Sequence, residues 1–406
     1  MGTGRNRRQS NAALIAVMLA GACTFLNVYT TQPLLPLLRQ LFHASEIAVS
    51  LTVSATMLAI ALAAPLAGVL AERFGRKRVI LPSILLLTLP TVLAATSPNL
   101  HWLIAWRFMQ GLFVPGIAAV MIAYIGEEWA GRGVGSAMAY YISGTVLGGF
   151  LGRFLTGLIA DHFSWRLGFV AIGLINFAGA IGVWRWLPSS ANFVPSSDAL
   201  HSIREGWAHL RNLRLVAVFG MGFLLLVSHV GVFTYVNFYL AGAPFQLDSA
   251  ELGSIFFVYL FGLVVTPLSG KLLDRSGFRP TLLLALAMGV AGLLLSLTHS
   301  LALVICGLAL FSSGVFVSQA VATVQIGRVA GAGRSTAAGM YITAYYGGGC
   351  FGAIVPAWAW MRGGWPACVA FLMVTCISTA TLGFISSIGH AKERVLLDSA
   401  AEIPAD

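Results

Sequence analysis

The sequence predicts an all-α membrane protein of twelve spanning helices, arranged as two similar six-helix bundles. Three observations carry that expectation. The first is composition: the 406 residues are 58% hydrophobic and only 9% charged, against about 25% charged in a soluble domain. Apolar runs of roughly twenty residues, the length that crosses a bilayer core, recur along the whole chain. The second is a repeated turn. Gly68-Val-Leu-Ala-Glu72-Arg73-Phe-Gly75-Arg76 ends one apolar run and precedes another, and Gly270-Lys-Leu-Leu-Asp274-Arg275-Ser-Gly277 does the same 202 residues later. An internal repeat of that period marks a duplicated architecture. The third is the placement of the 24 Lys and Arg residues. With the N-terminus inside, three (Arg39, Arg166, Arg362) fall outside and two (Arg107, Arg153) fall within helices, leaving nineteen on the inner side. That bias predicts both termini in the cytoplasm.

The spans follow in order. Span 1 is expected over residues 11–41, after Arg5, Arg7 and Arg8. Its apolar stretch runs on through Asn27, Tyr29, Gln32 and Pro33 without a small-x-small site, so it is expected to be retained and not cleaved as a signal. Span 2 covers 46–71, span 3 79–95, span 4 101–125, span 5 133–159 and span 6 167–186. A polar segment, 187–213, then separates the halves. It carries Leu200, Ile203, Trp207 and Leu210 at helical spacing beside Arg204 and Arg211, which fits either a helix lying on the membrane surface or a linker with accidental periodicity. Spans 7 to 12 are expected over 216–239, 250–273, 281–297, 302–329, 336–360 and 367–388. The domain division is therefore an N-terminal bundle over 1–187, a cytoplasmic linker over 188–213, a C-terminal bundle over 214–388 and a cytoplasmic tail over 389–406. Further echoes at an offset of 200 pair Tyr141 with Tyr341, Gly148 with Gly348, Gly149 with Gly349 and Gly152 with Gly352.

Several function classes are set aside at this stage. The net charge of +10 sits in short loops between spans, a topology signal and not a nucleic-acid footprint. The five cysteines, Cys23, Cys306, Cys350, Cys368 and Cys376, are far apart in apolar segments, with neither disulfide nor metal spacing. A pump driven by ATP needs a phosphate-cradling Gly-x4-Gly-Lys-Ser/Thr loop, which this sequence lacks. Intramembrane catalysis needs paired acids, a metal cluster or a nucleophile with a base. The expectation is a non-enzyme with no cofactor, whose partners are a small-molecule substrate, protons and the lipid bilayer, working as a monomer.

The repeated turn resembles the loop between the second and third helices of the major facilitator superfamily, Gly-x-x-x-Asp-Arg-x-Gly-Arg-Arg/Lys. Glu72 replaces the usual Asp in the first copy and Asp274 keeps it in the second. Arg107-Phe-Met-Gln110-Gly111 is similar to the family's Arg-x-x-x-Gly element in helix 4. Gly144-x3-Gly148-Gly149-x2-Gly152 resembles the antiporter motif of drug/proton exporters, without that motif's proline. Tyr29-x2-Gln32-Pro33-Leu-Leu-Pro36 is similar to a bacterial branch of drug and sugar exporters. The resemblance implies a secondary transporter of the bacterial inner membrane, exporting a drug-like, sugar or small organic compound against protons. An importer or uncoupled facilitator of a small organic solute, anionic solutes included, is the alternative. It also implies that Gly68, Glu72, Arg73, Gly75 and Arg76, with Gly270, Asp274, Arg275 and Gly277, form a latch between the halves in the outward-open state. A simple turn that sets topology is the other reading of the same residues.

Every acid in the sequence lies at a helix end, in a loop or in a tail, so Arg107 and Arg153 have no acid at their depth. A charge inside the bilayer is costly and needs a partner or a function. Either an anionic group on the substrate supplies one, or both arginines snorkel or bond to backbone carbonyls. His229 in span 7 is a candidate proton coupler or a packing residue. Asn27, Gln32, Gln110, Tyr141, Tyr235, Asn237, Gln319, Tyr341 and Tyr345 are candidate cavity-lining residues, each equally suited to an interhelical hydrogen bond.

Overall fold

The structure, a computed structural model, describes residues 2–129, 133–190, 206–330 and 334–387. Everything regular among them is helical. Span 1 differs from the continuous helix expected over 11–41. A helix runs over Gly2–Val28, a 3-10 turn covers Gln32–Leu34 and a short helix, Leu35–Leu41, finishes the span. Pro33 and Pro36 explain the break, because neither donates to the helical ladder and each disfavours a helical residue before it.

Span 2 (Glu46–Phe74) and span 3 (Arg76–Ala94) meet at Gly75, and span 9 (Phe278–Leu295) starts from Gly277 in the same way. Gly75 has φ 93° and Gly277 φ 78°, a conformation that glycine adopts without steric cost. Spans 4 (Leu100–Glu128), 5 (Val134–His162) and 6 (Trp165–Trp186) complete the first half. Asn99 and Ser164 cap spans 4 and 6 by accepting backbone N–H bonds. Span 7 is Leu213–Ala241 and span 10 Leu301–Val329. Span 8 is interrupted: helix Ser249–Ile255, a 3-10 stretch Phe256–Leu260, then helix Phe261–Ser276. Among the described residues, eleven helices are long and apolar enough to cross a membrane. The helix Arg334–Ile354, between spans 10 and 12, is not among those eleven and lies where span 11 is expected; non-helical Gly363 and Gly364 separate span 12 from the short helix beginning at Pro356. Of the segment joining the halves, Leu200, Ile203 and Arg204 lie outside the described residues, while Trp207 and Leu210 are exposed on a helical turn over 206–211.

The duplication is visible in packing as well as in sequence. A Cβ on Gly144, Gly148 or Gly152 would overlap the backbone carbonyls of Met18, Ala22 and Leu26, so span 5 lies directly against span 1. In the second half Gly348 and Gly352 meet the carbonyls of Phe223 and Val227, and span 11 lies against span 7 in the same manner. Small residues at such crossings let membrane helices approach closely and pack by van der Waals contact.

Among the described residues, the close contacts between the halves gather toward one end. Gly157 abuts the Ser249 carbonyl, a Cβ on Gly253 would lie 3.3 Å from the Cα of Phe154, and Phe150 meets Phe257 edge-on at 5.7 Å. These contacts join span 5 to span 8. Ser54 Oγ donates to the Cys350 carbonyl at 3.0 Å and a Cβ on Gly349 would lie 3.2 Å from Met57 Cγ, joining span 2 to span 11. Toward the opposite end, where the basic turns lie, Gly68, Gly135, Gly270 and Gly339 face open space, with nothing within 4 Å of an added Cβ.

Candidate functional site

The break in span 1 sets the site. A helix that ends inside a bilayer leaves its last carbonyls without partners and without water, at a cost of several kcal/mol each. Arg107, fully buried on span 4, supplies what is missing. Its guanidinium donates to the carbonyls of Asn27 (2.7 Å) and Val28 (2.5 Å), to Thr30 Oγ1 (3.2 Å), to the Thr52 carbonyl (3.0 Å) and to Gln110 Oε1. All five acceptors belong to the first half, and the cation sits at the negative end of the span 1 helix dipole. A polar network extends the cage. Gln110 Nε2 donates to Thr91 Oγ1 (3.0 Å), and Thr91 Oγ1 donates to Asn27 Oδ1 (2.7 Å). Asn27 Nδ2 in turn donates to Asn176 Oδ1 (3.0 Å), and Asn176 Nδ2 to Thr88 Oγ1 (2.8 Å). Asn27, Gln110 and Arg107 are thus brought together; Thr91 and Asn176, on spans 3 and 6, complete a group that isolated polar residues in apolar runs do not announce.

Arg153 grips the other side of the same break but is served differently. Its Nε donates to Gln32 Oε1 at 2.8 Å and its Nη1 to the Gly149 carbonyl at 2.5 Å. Its Nη2 has no partner among the described residues, nor has Gln32 Nε2. Three rings cover the guanidinium, those of Tyr29 at 4.1 Å, Phe256 at 4.6 Å and Tyr259 at 4.6 Å. Phe256 and Tyr259 belong to the 3-10 stretch of span 8, where residues three apart eclipse and so present both rings on one side. This cage is therefore shared between the halves. Cation–π contacts of this kind contribute roughly 0.5–2 kcal/mol, less than a charge partner would.

His229 adjoins it. Its ring lies 5.2 Å from Tyr259 and 5.1 Å from Phe233, with Phe316 at 5.9 Å and Phe311 at 6.5 Å. His229 Nδ1 and Tyr259 Oη, both buried, have no partner among the described residues. The aromatic members of this cluster were not candidates from sequence alone, because span 8 carries no proline or charge at the 3-10 stretch to mark it.

The remaining candidates divide. Tyr141 Oη donates to the Ala118 carbonyl (3.3 Å) and Tyr341 Oη, its counterpart, to Gln319 Oε1 (3.0 Å). Tyr345 stacks on Tyr341 at 6.0 Å and is partly exposed, as is Gln319. Tyr235 and Asn237 do not join this group: Tyr235 Oη donates to the Ala353 carbonyl (2.9 Å) and Asn237 Nδ2 to the Phe233 carbonyl one turn back (2.6 Å). A cavity of about 10 Å³ between spans 7, 9, 10 and 12, lined by Ser228, Phe311, Ser318 and Thr379 among others, has room for about one water and is too small for an organic solute.

At the turns, Arg76 pairs with Glu127 at 2.7 Å within the first half. No hydrogen bond or ion pair to Glu72, Arg73, Asp274 or Arg275 is found among the described residues; the Arg73 guanidinium lies 5.4 Å from the Phe74 ring.

The profile of the Major Facilitator Superfamily matches residues 17–353. The chain belongs to that superfamily. The transporter is 33% identical over 380 residues to the inner membrane transport protein YnfM of Escherichia coli, covering 93% of this chain and 91% of that one. Among solved structures it superposes on a mutant of the nucleoside transporter NupG with TM-score 0.75 at 13% identity, covering 92% and 98% of the two chains. It superposes on the human organic anion transporter MFSD10 with TM-score 0.72 at 18% identity, covering 93% and 99%. These likenesses establish the fold. The chain is a multi-pass membrane transporter.

Proposed function

We propose that this transporter is a secondary exporter of a small organic compound, working as a monomer by alternating access in the bacterial inner membrane. One observation carries the reading: among the described residues the halves meet through spans 2, 5, 8 and 11 toward one end, while Gly68, Gly135, Gly270 and Gly339 toward the other face open space. A solute site between two such bodies is exposed to one side at a time when they rock. The positive-inside bias puts the basic turns, both termini and the open end in the cytoplasm, so the described conformation faces inward. Glu72 and Asp274 then form their latch only after the open end closes, consistent with the lack of a described partner for either here. The domain boundaries near 187 and 214 mark the rigid bodies of this motion.

Export is proposed on the resemblance of the Gly144–Gly152 run to the exporter motif. Protons are proposed as the driving ion, with His229, next to the shared cage, as the titrating group. Everted vesicles loaded with the protein test this reading. A pH gradient, acid inside, is expected to drive solute uptake into them, and collapse of the gradient to stop it. Uptake that ignores the gradient contradicts coupling, and accumulation only in right-side-out vesicles contradicts export.

A further inference from the structure

The cages around Arg107 and Arg153 differ in one chemical respect, and we propose that Arg153 anchors the carboxylate of an organic anion with an apolar body, seated at the junction of the halves. The proposal rests on the transporter reading above and names its substrate class.

Three observations support it. Arg153 is fully buried, yet its Nη2 has no acceptor, and the neighbouring Gln32 Nε2 and Tyr259 Oη are also buried donors without partners. A planar carboxylate matches such a fork, taking charge-assisted hydrogen bonds from guanidinium and amide together. No carboxylate among the described residues pairs with Arg153, and every acid of the sequence lies at a helix end, loop or tail. A second charge must therefore come from the ligand if the guanidinium is to be neutralised inside the bilayer. Finally, the surroundings beyond the fork are the rings of Tyr29, Phe233, Phe256 and Phe316, with His229 beside them, and these rings suit an aromatic or aliphatic body.

The location ties binding to movement. Arg153, Gln32 and Tyr29 belong to one half, Phe256 and Tyr259 to the other. When spans 5 and 8 separate, the two rings withdraw and uncover the fork, and an anion placed there draws the halves together again.

Thermal unfolding of the purified full-length protein in detergent tests the site, with benzoate, benzamide, benzylammonium and sodium chloride as probes at equal ionic strength. Benzoate is expected to raise the unfolding midpoint while the neutral, cationic and inorganic probes do not. Arg153→Gln is expected to weaken the apparent benzoate affinity at least about tenfold, with part of the response restored in Arg153→Lys. Tyr259→Phe, which removes one donor and keeps the ring, is expected to weaken it a few-fold, so the test survives if Arg153→Gln does not fold. No benzoate response, an equal response to benzamide or chloride, or an undiminished response in both Arg153→Gln and Tyr259→Phe overturns the proposal. Benzoate flux into proteoliposomes separates the two readings. Binding without flux under any gradient removes transport and leaves the site; transport of a neutral solute untouched by Arg153→Gln removes the site and leaves transport.

Discussion

Arg107 and Arg153 are both fully buried, and both grip the stretch of span 1 between Asn27 and Gln32, yet one cage is complete and the other is not. Arg107 has five acceptors, all from its own half. Arg153 has two, an unpartnered Nη2, and rings contributed by both halves. The difference teaches that a buried cation in a membrane can serve two ends. Where its donors complete a broken helix, it is part of a rigid body. Where they are left over at the junction of the halves, it is the place we propose for a ligand.

Substitutions can break or sharpen that contrast. The largest effect is expected from Arg107→Leu, which strands the Val28 carbonyl and Gln110 Oε1 and leaves the Asn27 carbonyl with the Thr30 hydroxyl alone, in a dry interior. A buried acceptor left unsatisfied costs about 1–3 kcal/mol, so the unfolding midpoint in detergent should fall steeply or folded protein should not accumulate. A normal midpoint would mean that the cage is not structural. Arg153→Gln should lose far less stability than Arg107→Leu, because removing an unpaired buried charge offsets the lost cation–π contacts; an equal loss would erase the contrast. Next comes Gly148→Ala, whose Cβ meets the Ala22 carbonyl. Overpacking of this kind costs about 1–3 kcal/mol, and Gly348→Ala against Phe223 should cost a similar amount if the halves are true structural counterparts. The smallest stability effect is expected from Glu72→Gln and Asp274→Asn, for which exposed or unpaired charges contribute about 0–1 kcal/mol. Cysteine labelling at Gly68→Cys and Gly270→Cys should nonetheless show both variants biased toward the inward-facing state; unchanged labelling would reduce the motif to a turn.

Much of the fold was legible in residues. The paired turns need glycine at 75 and 277 because both adopt positive φ, and that requirement survives duplication better than the surrounding side chains. Pro33 and Pro36 hold the reason for the break in span 1, although its apolar pattern alone suggests a continuous helix. Arg107 and Arg153 stood out as charges without acids at their depth. The partners did not, since a tertiary cage draws on residues whose local sequence is unremarked: Thr91 and Asn176 are single polar positions in apolar runs, and Phe256 and Tyr259 look like ordinary span residues until the 3-10 stretch aligns them. Tyr235 and Asn237 show the converse, polar side chains that donate to carbonyls of their own half.

The claim that the Arg153 cage lies on a junction that opens can be measured directly. In a variant whose native cysteines are replaced, Phe154→Cys with Gly253→Cys places two thiols across spans 5 and 8, where the backbones are already in contact. Oxidation to the disulfide is expected to abolish solute flux in proteoliposomes and reduction to restore it, because transport requires the two spans to part. Full flux with the disulfide formed would contradict the account.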